Sequence, residues 1–180
     1  MKTMSKDENI NKLREFSFID SSIVSLKKIH FKPQDMVDLI DISIEKSEWL
    51  TVAKCVAWIQ MNPSKEYVNV LCRLLSQFYT SLNPEEVVDA LGDVLEFCTE
   101  DNVLIYAVFA LAKAAEVDYE ADDSFHINTK CLDILHWVAG STSCAGSTAM
   151  LSLEKLSKIG IQEVADEARE CLQDLEKRTR

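Results

Sequence analysis

The side chains of this chain best suited to metal or nucleophile chemistry are three histidines, His30, His126 and His136, and six cysteines, Cys55, Cys72, Cys98, Cys131, Cys144 and Cys171. The tightest mixed grouping is His126, Cys131 and His136. Steps of five residues advance a helix by about 500°, leaving successive side chains about 140° apart, so the three do not share a face. Zinc asks for a fourth ligand and usually for a close cysteine pair, and there is no C-x-x-C pair in the chain. A Cys/His nucleophile pair could be drawn from the same residues, and Ser141-Thr142-Ser143-Cys144 adds hydroxyls and a thiol. A catalytic Ser or Cys needs an activating neighbour, however, and none of G-x-S-x-G, H-E-x-x-H or G-x-x-x-x-G-K-[ST] occurs. The expectation is a protein that is not an enzyme, with no catalytic residue, no metal and no cofactor. The cysteines mostly fall within apolar helical patterns, where a free thiol acts as a small hydrophobe.

Carboxylates are the more informative chemistry. The net charge of -11 falls on residues 81–123, which hold twelve Asp and Glu against one cation, Lys113. Glu85, Asp89, Asp93 and Glu96 advance by four, four and three, which places them on one helical face. Glu116, Asp118, Tyr119, Glu120, Asp122 and Asp123 continue the acidic run into a loop and set an aromatic among the acids. Like charges so spaced destabilise an isolated helix by a few tenths of a kcal/mol per pair, and a solvated face is the plain explanation for them. The functional alternative is a landing site for a basic protein, made of Glu85, Asp89, Asp93, Glu96, Glu116, Asp118, Tyr119, Glu120, Asp122 and Asp123. Calcium fits less well, because Asp118-x-Glu120-x-Asp122 lacks the glycine and the closing bidentate Glu of an EF-hand loop. Acidity argues against nucleic acid or an anionic membrane as partner.

The elements that would position these acids are helices. Pro33, Pro63 and Pro84 stand at expected helix starts, the last two after Asn62 and Asn83 as N-caps. Apolar stripes at helical period run through Met36, Leu39, Ile40 and Ile44, through Val68, Leu71, Cys72 and Leu75, and through Val87, Val88, Leu91, Val94 and Leu95. The reading is all-α, with eight helices near 33–46, 48–61, 63–80, 84–98, 100–116, 127–140, 143–159 and 161–177, joined by short loops as antiparallel hairpins. Residues 1–32 carry seven Lys and Arg against four acids and form a separate N-terminal segment. Its first ten residues are expected to fray, and Ile19, Ile23 and Leu26 could form a helix capping the domain at 33–180. Met1 to Asn11 has no apolar core of a signal peptide, and the longest apolar run, Val103–Ala112, is about half a membrane span. A reducing, cytoplasmic setting is expected.

Asp101-Asn102-Val103-Leu104-Ile105-Tyr106-Ala107-Val108-Phe109-Ala110-Leu111-Ala112-Lys113 resembles the second helix of a HEAT repeat at Asp101, Val103, Ala107, Ala110, Leu111 and Lys113. Ala145 to Leu156 resembles it again through Ala149, Ser152 and Leu153, and Trp49 to Ala57 more faintly around Ala53. Leu104, Gly146 and Leu50 stand where that family usually has a basic residue. The resemblance implies antiparallel hairpins stacked as a short HEAT-like α-solenoid, the alternative being a compact helical bundle. Small size, negative charge and the helical-repeat look are also similar to the immunity proteins of bacterial contact-dependent growth inhibition systems, some of which oppose RNA-cleaving toxins. That likeness implies an inhibitor of a basic toxin of the nuclease class; the other function class is a HEAT-like adaptor or scaffold for a basic partner.

Overall fold

The computed structural model of the chain describes residues 5–16, 29–117 and 124–178, and every regular element within them is helical. The α-helices are α1 Lys6–Glu15, α2 Pro33–Glu45, α3 Trp49–Met61, α4 Val68–Gln77, α5 Pro84–Leu95, α6 Asp101–Ala115, α7 Ser124–Ala139, α8 Cys144–Leu156 and α9 Gln162–Arg178, with one 3₁₀ turn, Lys65–Tyr67, ahead of α4.

Local chemistry sets most of these limits. Pro33 and Pro84 occupy the first turns of α2 and α5, where a missing N–H costs no helical bond. The Asn83 side chain accepts from the Glu85 N–H at 3.1 Å, and Ser143 Oγ accepts from the Gly146 N–H at 3.1 Å. Pro63 behaves differently from the expectation. Asn62 closes α3, its side-chain amide donating to the Trp58 carbonyl at 2.9 Å, and α4 begins only at Val68. Tyr67 supplies the reason: it is buried, edge-on to Trp58 at 6.4 Å, and the 3₁₀ turn that seats it consumes the residues of the expected first turn.

The N-terminal segment, part of which was expected to fray, contains α1, closed by a capping box. The Ser5 N–H donates to Glu8 Oε2 at 2.8 Å and the Glu8 N–H to Ser5 Oγ at 3.3 Å. Leu13 is fully buried, and the buried Lys54 of α3 donates its ammonium to the Arg14 carbonyl at the C-terminal end of α1. That end of a helix is electronegative, which stabilises the cation there while burial holds its pKa below the usual lysine range. Ile19, Ile23 and Leu26 lie outside the described residues.

Packing alternates along the chain. α3 lies against α5, α5 against α7 and α7 against α9, while α4 lies against α6 and α6 against α8. The pairs α2–α3, α4–α5, α6–α7, α7–α8 and α8–α9 join the two sets. One continuous apolar core runs through them, from Met36 and Ile40 in α2 to Leu175 in α9. Ala107 and Ala149 are fully buried in the two helices that carry the better repeat-like segments, and small side chains there allow those helices to approach closely.

Candidate protein-docking cleft

The face predicted on α5 exists, but its members are not equivalent. Asp89 and Asp93 of α5, with Glu96 at its C-cap, line a cleft of about 400 Å³ together with Gly92, Gln60 of α3, and Lys130, Asp133, Ile134 and Trp137 of α7. α5 and α7 come close enough there that a Cβ at position 92 would stand 3.2 Å from Ile134 Cδ1. Glycine thus sets the depth of the cleft.

Lys130 neutralises one end of the acidic row. Its Nζ lies 2.8 Å from Glu85 Oε1 and 2.7 Å from Asp89 Oδ1, and this hydrogen bond holds the Glu85 carboxyl below the usual range. The other end has no such relief. Among the described residues no cation lies within ion-pair reach of Asp93 or Glu96. Partial burial pushes the Asp93 carboxyl up, and the charges of Glu96 and Asp89 push it further, against a hydrogen bond from Gln60. Asp133 stands exposed beside them. The field extends to α9, since the Cys171 thiol, pushed up to about 11 mainly by burial, is raised further by Glu167, Asp133 and Asp174. Trp137 leaves 56% of its surface exposed at the cleft. A flat aromatic beside unpaired carboxylates suits a guanidinium or ammonium side chain, which can stack on the ring while donating to the acids.

Of the remaining predicted residues only Glu116 is among those described, and it does not join this cleft. Glu116 faces another groove, between α6 and α8, where its Oε1 lies 2.5 Å from Lys155 Nζ. Asp118, Tyr119, Glu120, Asp122 and Asp123 lie outside the described residues. Their flanks are tied together, because the buried Asn128 amide donates to the Ala115 carbonyl at 2.8 Å and to the Val117 carbonyl at 3.1 Å. Sequence reasoning missed Gln60, Lys130, Asp133 and Trp137. Lys130, Asp133 and Trp137 are spaced by three and four, so their common face was legible, but not that it meets the acidic face of α5.

The thiol and imidazole candidates separate. Burial pushes Cys55, Cys72 and Cys131 up to about 12, far from thiolate at neutral pH, and only Cys144 among the six is exposed. His126 is exposed, whereas His136 Nε2 lies 3.2 Å from Asp174 Oδ2. Among the described residues no three His, Cys, Asp or Glu side chains are grouped to hold a metal ion, and no helix is long and apolar enough to cross a membrane.

No family model, curated protein or solved structure matches the chain. Its all-helical fold and the cleft therefore rest on their own geometry.

Proposed function

We propose that this protein is a cytoplasmic immunity protein that neutralises a cognate basic toxin, with a nuclease the best-fitting class, and that the cleft on α3, α5 and α7 is where the toxin docks. The observation that carries this reading is the unneutralised group Asp93, Glu96 and Asp133 around the exposed Trp137. Clustered acids raise one another's charging cost, and a cationic partner relieves it. A nuclease must hold polyanionic substrate in a basic cleft, so an acidic counter-surface is a direct way to block it. Electrostatic pairing of this kind accelerates association, and the indole supplies the desolvated anchor that carries most of the affinity. The reading assigns no catalytic residue, metal or cofactor. The alternating contacts of helices two places apart support a short HEAT-like α-solenoid over a compact bundle, because stacked hairpins generate that pattern.

The test is protection. The basic C-terminal domain of a large secreted protein encoded next to this gene is expressed with and without the chain, and growth is followed. Wild type restores growth, while a variant carrying Asp93→Lys, Asp133→Lys and Trp137→Ala binds at least about thirtyfold more weakly and does not. Protection by that variant would remove the cleft from the account, and no protection by wild type would remove the immunity reading.

A second reading, an adaptor joining a basic protein to another partner, is favoured by one observation. The groove between α6 and α8 is lined by two lysines and one carboxylate beside the exposed Phe109 and Leu151, the reverse of the acidic cleft's balance.

A further inference from the structure

The outward stripe of α6 runs Tyr106, Phe109 and Lys113 and ends at the C-cap Glu116, by steps of three, four and three. Phe109 is 59% exposed, and across the groove Leu151 of α8 is 64% exposed. Between them the floor is made of Ala112, Thr148 and Ser152, whose small side chains leave a trough of about 680 Å³. Two large apolar side chains flanking such a trough lose water only when something covers them, at about 25 cal/mol per Å² of apolar surface. The rim holds two lysines, Lys113 and Lys155, against one carboxylate, Glu116. Among the described residues, Lys113 is exposed with no carboxylate in ion-pair reach, and Lys155, with 72% of its side chain exposed, pairs with Glu116 alone. In a protein of net charge -11 this is a locally cationic apolar strip, and it selects an occupant with apolar and acidic residues on one side.

We propose that the groove between α6 and α8 docks an acidic amphipathic helix of a partner protein, its apolar side chains on Phe109 and Leu151 and its carboxylates on Lys113 and Lys155. From Tyr106 to Lys113 the stripe spans about 10 Å at 1.5 Å per residue, or two helical turns, which matches apolar anchors at i, i+3 or i+4, and i+7. This site is independent of the acidic cleft and survives or fails without it.

The probe is a labelled model helix of about 18 residues, long enough to be helical, with leucines at i, i+3, i+4 and i+7 flanked by glutamates. A twin replaces each glutamate by lysine, and a scrambled glutamate peptide keeps composition without an apolar face. Fluorescence anisotropy against the full chain should show the glutamate helix binding at least about tenfold more tightly than either control. The pair Lys113→Glu and Lys155→Glu should reverse the preference toward the lysine twin, a gain that a misfolded variant cannot produce. Phe109→Ser with Leu151→Ser should abolish binding of both, and Trp137→Ala should leave it unchanged. Equal binding of the scrambled peptide, no reversal by the charge pair, or loss on Trp137→Ala overturns the proposal. So does sedimentation showing a wild-type dimer that Leu151→Glu dissociates, because the occupant is then a second copy of this chain.

Discussion

Asp101, at the start of α6, accepts from the backbone N–H of Cys144 at 3.2 Å, and its other oxygen stands 3.4 Å from the N–H of Ala145. A carboxylate from one helix thereby closes the N-terminus of α8, 43 residues further on. The orphan amides of the helix start are the donors that balance this carboxylate's charge.

Asp101→Ala should lower the melting temperature at pH 7 by about 2–4 °C, the scale of a lost helix cap in a chain of this length. The Ser143 hydroxyl, then the Ala145 and Cys144 amides, hold the Asp101 carboxyl below its usual range. A depressed folded-state pKa gives stability that is present above the unfolded value and lost as pH falls through the folded one. Circular dichroism melts of both proteins should therefore converge as pH falls from the ordinary aspartate value through the lower folded-state one. A constant difference across that window would falsify the capping role.

Gly146→Ala and Gly160→Ala should act in opposite directions. A Cβ at 146 would overlap the Ser141 carbonyl, a backbone atom that can yield only if the α7–α8 turn opens. The cost should reach about 1–3 kcal/mol and outweigh the better helix propensity of alanine. Position 160 has no atom within 4 Å of its Cβ, so alanine there should be neutral or stabilising by up to about 1 kcal/mol. Urea midpoints measure both, and equal signs would contradict the geometry.

Asp93→Asn should raise stability while it weakens partner binding. Burial, Glu96 and Asp89 raise the folded-state pKa of Asp93, so the folded chain holds this proton to a higher pH than the unfolded one. Wild type therefore loses stability as pH rises from the ordinary aspartate value through the folded-state one, and the amide does not. The variant's melting temperature should exceed wild type at pH 7 and match it at pH 3. A variant less stable at pH 7 would show that Asp93 is held for structure and not for binding.

One thiol should react quickly with Ellman's reagent in the native protein. Cys144 is exposed, and Cys55, Cys72, Cys98, Cys131 and Cys171 are buried. Cys144→Ser should remove the fast phase, and the other five should appear only on unfolding, at a rate independent of reagent concentration. A second fast thiol would mean that the core opens more readily than its packing implies.

Much of the architecture was legible because its signals are local. Pro33, Pro84, Asn83 and Ser143 act within one turn of themselves, and the apolar period of α5 reports its own buried face. Where the expectation slipped, a distant partner had intervened: Tyr67 delays α4 because Trp58 receives its ring. The site follows the same division. Spacing put Glu85, Asp89, Asp93 and Glu96 on one face, yet it could not show that Lys130, 41 residues from Asp89, silences two of them. Nor could it bring Asp133 and Trp137 to the same cleft, since the meeting of α5 and α7 depends on how the helices stack.

Asn128 has a consequence for how such a protein can change. By donating to both the Ala115 and Val117 carbonyls it fastens the exit of α6 to the body of α7, on either side of residues 118–123. A change at position 128 therefore releases both carbonyls at once, so the junction between α6 and α7 hangs on a single side chain.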